Sequence, residues 1–136
     1  MKKEVQKKYV ELQMLNQQIK QVHEQFIFLQ QQLNELSNLE VSVSELKDIK
    51  KDSDMFSSVG SGIFVNSKLN NNQSVIVNIG AGILVEKSLK DALDLIRSQI
   101  TSVNSSLGTI KEQLNNAVIY SEKLTNELNE VASKEE

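Results

Sequence analysis

The chain has 136 residues, 4% aromatics, a net charge of −3, and no Cys, Pro or Trp. The missing Cys excludes disulfides and thiolate zinc sites, and the mild charge argues against nucleic acid as a partner. No run of about eighteen apolar residues is present to span a membrane.

Met1-Lys2-Lys3 is not followed by an apolar run, which reads against a secretory signal. A cytoplasmic protein is expected. The absence of Pro suits long uninterrupted helices, and the few aromatics make a large globular core hard to build.

From Val5 to Leu36 the apolar residues keep heptad spacing: Val5, Leu12, Leu15, Ile19, Val22, Phe26, Leu29, Leu33 and Leu36, with Lys8 as the polar interruption. A period of about 3.5 predicts a coiled-coil seam with a left-handed supercoil. Gln, Asn, Lys and Glu between the seam positions make a solvated face. After Leu36 the pattern reads Leu39, Val43, Leu46, a three-residue step that predicts local overwinding. The helix is expected over residues 4–51, stopping at Asp52-Ser53-Asp54, which are turn formers.

The middle of the chain says one thing twice. Ser58-Val59-Gly60-Ser61-Gly62-Ile63-Phe64-Val65 returns twenty residues later as Asn78-Ile79-Gly80-Ala81-Gly82-Ile83-Leu84-Val85. β-branched and apolar residues flanking a glycine pair predict strand, tight turn, strand. Two β-hairpins are therefore expected over 55–86, joined by Asn70-Asn71-Asn72, with Gly60, Gly62, Gly80 and Gly82 as turn glycines. A phosphate-binding reading of Gly-x-Gly fails on context, because such loops run into a helix and these run into strand.

A second helix is expected over 88–133. Ser88-Leu89-Lys90-Asp91 looks like a capping box. The seam then runs through Leu89, Leu93, Ile96, Ile100, Val103, Leu107, Ile110, Leu114, Ala117, Ser121, Leu124, Leu128 and Val131, with Ser121 as its polar member. Gly108 and its neighbours form a weak-propensity stretch, read as a softer segment.

At about 1.5 Å per residue, each helix would be on the order of 70 Å long. Their seams can pair if the helices run antiparallel, with the hairpins at one end and both termini at the other. Lys2, Lys3, Lys7 and Lys8 would then lie beside Glu122, Glu127, Glu130, Glu135 and Glu136, which favours that orientation.

Two isolated hairpins leave strand edges unpaired and are marginal in water. Only Asp54, Lys68, Glu86 and Lys87 are charged from 54 to 87, so the hairpin faces are expected to be buried somewhere. Closure with hairpins of other subunits into a barrel removes the edges. The fold class expected is mainly α with a small β part: a long antiparallel two-helix coiled coil joined by two β-hairpins that close into an intersubunit β-barrel. Candidate oligomerisation residues are Val59, Ile63, Val65, Val75, Val77, Ile79, Ile83 and Val85.

This plan resembles prefoldin, in its archaeal α-type form. The sharpest piece is Asn78-Ile79-Gly80-Ala81-Gly82-Ile83-Leu84-Val85-Glu86-Lys87, followed by Ser88-Leu89-Lys90-Asp91-Ala92. The first copy departs slightly, with Ser57-Ser58 where the family tends to have a larger or Pro-containing pair. The resemblance covers nearly the whole chain, so residues 1–136 are expected to form a single prefoldin-type unit. A β-type subunit would carry one hairpin, so the repeat argues for the α type.

The resemblance implies a hexamer of two α with four β-type subunits. It also implies ATP-independent capture of unfolded client polypeptides between coiled-coil tips, and delivery to a group II chaperonin. By position, the client-binding tip residues would be Val5, Tyr9, Leu12, Met14, Tyr120, Leu124, Leu128 and Val131. Frayed helix ends are expected to expose Val5, Tyr9, Leu12, Leu124, Leu128 and Val131.

Plainer readings stand beside these. A Leu or Val near a coiled-coil end is usually ordinary seam packing. His23 has no second His or Cys to join it and reads as a solvated side chain. Asp91 and Asp94 read as first-turn acids favouring the helix dipole. With no nucleophile–base constellation, no enzyme, metal or cofactor is expected. The rival from another class is a structural coiled-coil tether or assembly scaffold without holdase activity.

Overall fold

The computed structural model describes residues 2–134. Helix α1 spans Lys2–Glu45 and a 3₁₀ turn follows at Leu46–Asp48. Four strands come next, β1 Asp54–Gly60, β2 Ile63–Lys68, β3 Ser74–Gly80 and β4 Ile83–Ser88, and helix α2 closes the chain at Leu89–Lys134. The chain divides into two compact units. A terminal unit holds Met1–Leu33 with Ser102–Glu136, and a hairpin unit holds Asn34–Thr101.

In the terminal unit the two helices pair antiparallel, as cross-helix contacts show. Lys8 Nζ lies 3.1 Å from Glu127 Oε2. The Ser121 hydroxyl donates to Asn16 Oδ1 at 3.1 Å, and the Lys111 ammonium sits 6.0 Å from the Phe26 ring centre. Of the charges expected to face each other, Lys8 and Glu127 meet, while Glu135 and Glu136 lie outside the described residues.

Heptad positions decide burial here. Val103, Leu107 and Leu124 are buried, and Val5, Leu12, Leu15, Ile19, Val22, Phe26 and Leu29 are half-buried. A two-stranded seam has a partner on one side only, so half-burial is its natural state. α2 runs through Gly108 unbroken.

In the hairpin unit the heptad register of α1 continues. Leu39, expected in the seam, is 46% exposed. Glu40 is half-buried in its place, and Val43 is buried. The steps from Leu33 to Leu36, Glu40 and Val43 keep the 3–4 alternation, so no overwinding is needed. The Glu40 carboxylate faces Arg97 Nε at 3.8 Å. Leu39 instead borders a hollow with Val75 and Val77 of β3, which gives its apolar side chain a neighbour outside the seam.

α1 also ends earlier than the expected Lys51. Ser42 and Ser44 are weak helix formers, and the Ser44 hydroxyl donates to the Val41 carbonyl at 2.9 Å. The chain then turns through Asp52 at φ +68°.

Each hairpin is its own two-stranded antiparallel sheet, β1–β2 and β3–β4. Gly60 pairs with Ile63 and Gly80 with Ile83, so each loop has two residues, Ser61-Gly62 and Ala81-Gly82. Both loop residues have positive φ, +47° and +78° in the first, +52° and +73° in the second. Those are the φ values of a type I′ turn, whose twist matches a hairpin. A bulge precedes each turn, at Ser58/Gly60 and at Asn78/Gly80. There the glycine N–H donates to the Ser58 hydroxyl at 3.3 Å or to Asn78 Oδ1 at 2.9 Å.

The core of this unit is Val43, Ala92 and Ile96, with Val75, Leu89, Leu93 and Ile100 packed on it. Ser88, the last residue of β4, also caps α2: its hydroxyl accepts from the Asp91 N–H at 3.1 Å. In the connection, Asn72 Nδ2 donates to the Ile49 carbonyl at 3.0 Å, and Asn71 Oδ1 accepts from the Gln73 N–H at 2.8 Å.

Candidate functional site

Two surfaces carry exposed apolar residues that the core and seam do not use. One belongs to the terminal unit and one to the hairpin unit, and each is described by itself.

In the terminal unit the seam stays closed. α1 is helical from Lys2 and α2 to Lys134, and Leu124 is 3% exposed. Among the residues predicted for the tip, Leu124 is therefore buried, and Val5, Leu12, Leu128 and Val131 are half-buried against the other helix. This differs from the expectation of frayed ends. Apolar pairing across the seam continues through those layers, and opening them would expose it to water.

Tyr9, Met14 and Tyr120, also predicted, lie outside the seam and are exposed, Met14 by 66% and Tyr9 by 56%. Val10 and Ile119 are exposed beside them in the sequence. Reading the seam alone missed these two. The available signal was an apolar residue at a heptad position that should be polar.

Tyr120 is tied down despite its exposure. Its hydroxyl donates to Glu11 Oε1 at 2.6 Å. That hydrogen bond, then desolvation, then the negative charges of Glu11 and Glu127, hold its ionisation above the usual tyrosine value.

The hairpin unit shows a repeat in space as well as in sequence. The Ser57 and Ser67 hydroxyls meet at 2.7 Å on one face of β1–β2, while Phe56 and Phe64 border a common hollow. Twenty residues on, Val75 and Val77 approach the helices, and Ile76 and Leu84 occupy the positions of Phe56 and Phe64. Phe56 is 72% exposed and Ile76 71%.

Of the residues predicted for oligomerisation, Val59, Ile63, Val65, Ile79 and Ile83 are exposed. Val75, Val77 and Val85 are half-buried within the chain itself. Phe56, Phe64, Ile76 and Leu84 are exposed apolar side chains of the hairpins as well, and they were not among the predicted residues. Strand alternation assigns residues to two faces but does not say which face the helices take.

Paired antiparallel helices joined through two β-hairpins with open apolar faces define a class: hairpin-bearing coiled-coil subunits. The family model for prefoldin, described as prefoldin subunit, matches residues 15–134. The chain belongs to the prefoldin family, a family of chaperone subunits that form oligomeric complexes with other prefoldin subunits.

Similar proteins agree. The prefoldin subunit alpha of Archaeoglobus fulgidus is 22% identical over 93% of this chain and 92% of its own. That of Methanococcus aeolicus is 23% identical over 96% of this chain and 88% of its own. The cryo-EM structure of filamentous PFD from Methanocaldococcus jannaschii superposes with a TM-score of 0.74 at 20% identity, covering 85% of this chain and 96% of that one. At that identity the likeness speaks to fold. No helix among the described residues is long and apolar enough to cross a membrane.

Proposed function

We propose that the chain is the α-type subunit of an ATP-independent holdase. It captures unfolded polypeptides with its terminal unit and delivers them to a group II chaperonin. In this reading residues 1–136 act as one prefoldin-type unit without enzymatic activity, in the cytoplasm. Two copies assemble with four β-type subunits, and the exposed hairpin faces close into an intersubunit barrel.

The observation that carries the reading is apolar exposure where a coiled coil needs none. A tether requires an apolar seam and a polar exterior. Here the seam is closed, and Tyr9, Val10, Met14, Ile119 and Tyr120 are exposed outside it. Such side chains bind unfolded segments weakly, and several copies around one assembly would add avidity through effective concentration. Met14 suits this use, since its flexible thioether adapts to varied partners.

The test is aggregation of a chemically denatured protein diluted into the assembled complex without nucleotide. Suppression at near-stoichiometric ratio is expected. Removal of residues 1–11, which takes Tyr9 and Val10, together with 125–136 should keep the assembly and weaken suppression. Undiminished aggregation in the presence of the intact complex would leave the tether reading.

A further inference from the structure

The chain has no Cys, so its sulfur chemistry rests on three thioethers, Met1, Met14 and Met55. No thiolate competes with them for an oxidant. Met1 lies outside the described residues. Met55 stands in β1, on a hairpin expected to be covered on assembly, and is 40% exposed in the single chain. Met14 stands on α1, outside the seam, and is 66% exposed.

We propose that Met14 is a site of reversible oxidation that regulates the terminal unit: a peroxide converts its thioether to the sulfoxide, and the oxidised unit holds unfolded polypeptide less tightly. The inference rests on the holdase reading and adds a regulation to that surface.

The chemistry needs only a peroxide and a thiol reductant. A sulfur lone pair attacks one oxygen of hydrogen peroxide, so the S–O bond forms as the O–O bond breaks. Sulfur gives up two electrons, and the second oxygen leaves as water with both protons. In the reverse direction two thiols reduce the sulfoxide. Its oxygen leaves as water, and the thiols become a disulfide.

Position decides whether such oxidation is a switch or damage. A sulfoxide in the seam would place a polar group among apolar layers and open the helix pair. Leu15, the next residue, is half-buried in the seam, and Leu124 is 3% exposed. Met14 takes no part in that packing. Its oxidation changes the polarity of the surface and leaves the pair closed.

The surroundings also receive the product. Met14 borders a shallow groove with Glu11, Gln17, Gln18, Gln21 and Tyr120. The three primary amides can donate hydrogen bonds to a sulfoxide oxygen. Glu11 only accepts, and the Tyr120 hydroxyl already donates to it at 2.6 Å. The oxidised side chain thus finds polar partners on its own surface, and less apolar area remains for an unfolded segment.

The test treats the full-length chain with hydrogen peroxide, removes the peroxide with catalase, and assembles the chain with untreated partner subunits. A Met55→Leu background keeps the hairpin unoxidised. The probe is dye-labelled, reduced and carboxymethylated α-lactalbumin, which stays unfolded without denaturant. Oxidation is expected to weaken binding about tenfold, the scale of one apolar side chain lost from contact. Adding Met14→Leu should make binding insensitive to peroxide, and Met14→Gln should reproduce the loss without it. Sulfoxide reductases for both epimers should restore binding. Helix content should stay constant in every sample, because Met14 lies outside the seam. In the wild-type complex under peroxide, peptide mass spectrometry should find sulfoxide forming faster at Met14 than at Met55.

Full binding by a chain that carries the sulfoxide at Met14 would overturn the inference. So would an equal loss in the Met14→Leu variant, a loss that the reductases leave in place, or sulfoxide forming no faster at Met14 than at Met55. In each of those cases the holdase reading stands. If the unoxidised complex binds no α-lactalbumin and suppresses no aggregation, that reading falls and takes the inference with it.

Discussion

The Tyr120 hydroxyl reaches across the helix pair to Glu11 Oε1 at 2.6 Å, joining residues 109 positions apart in the chain. The neutral phenol donates this bond. The phenolate cannot, and Glu11 and Glu127 would repel it.

Ionisation of Tyr120 is therefore expected above the ordinary tyrosine value of about 10, in the direction set first by the Glu11 hydrogen bond. A group whose folded pKa is raised contributes stability below its unfolded pKa and loses it as pH rises through the folded one. The contribution is thus complete at neutral pH and is lost in the alkaline range. With only two tyrosines in the chain, Tyr9→Phe leaves Tyr120 as the one tyrosinate absorber in an ultraviolet titration. Glu11→Ala should bring its midpoint down. An unmoved midpoint would mean that the bond is not populated in solution.

The register of α1 after Leu36 gives a second test. Glu40 occupies a seam position and Leu39 does not. The exposed part of the Glu40–Arg97 pair is worth little. Glu40→Leu should therefore stabilise by about 1 kcal/mol, the gain from half-burying a leucine. Leu39→Gln should cost less than about 1 kcal/mol, as for a partly exposed side chain. Denaturant midpoints decide: a larger loss from Leu39→Gln than gain from Glu40→Leu would restore the overwound register.

The turn at Ala81-Gly82 is limited by backbone conformation and not by space. A Cβ added at Gly82 would meet no atom within 4 Å, yet its φ is +73°. Gly82→Val should cost about 1–2 kcal/mol or more, since β-branched residues resist that region. Ala81→Asn should stabilise by a few tenths of a kcal/mol, roughly, because Asn-Gly suits type I′ turns. Thermal melts of the assembled complex would read both. A neutral Gly82→Val would show that the turn conformation changes on assembly.

The hairpins are expected to drive assembly. Ile79 and Ile83 are exposed by 56% and 55% and flank the second turn. Their joint replacement by Asp should leave helix content unchanged by circular dichroism and dissociate the complex in sedimentation, because an unpaired charge buried in an interface is costly. An unchanged sedimentation coefficient would remove these residues from the interface.

Much of this protein is written in local periodicity. The heptads of both helices, the twofold Gly-x-Gly repeat and the Ser88 cap are spacing patterns, and spacing is sufficient to specify helix, turn and strand. The family is legible for the same reason, since its architecture is a fixed order of such patterns.

What only the tertiary structure decided is which apolar residues are spent inside the chain. Leu39 and Glu40 are adjacent, and hydrophobicity alone favours Leu39 for the seam. The partner helix, through Arg97, and the neighbouring strand β3 reverse that choice. Val75 and Ile76 are likewise adjacent, yet one packs on Val43, Ala92 and Ile96 and the other stays open. Leu124 and Tyr120 are four residues apart, and the paired helix buries the first while leaving the second outside the seam. Burial depends on what arrives from distant parts of the chain, whereas periodicity depends only on neighbours in the chain.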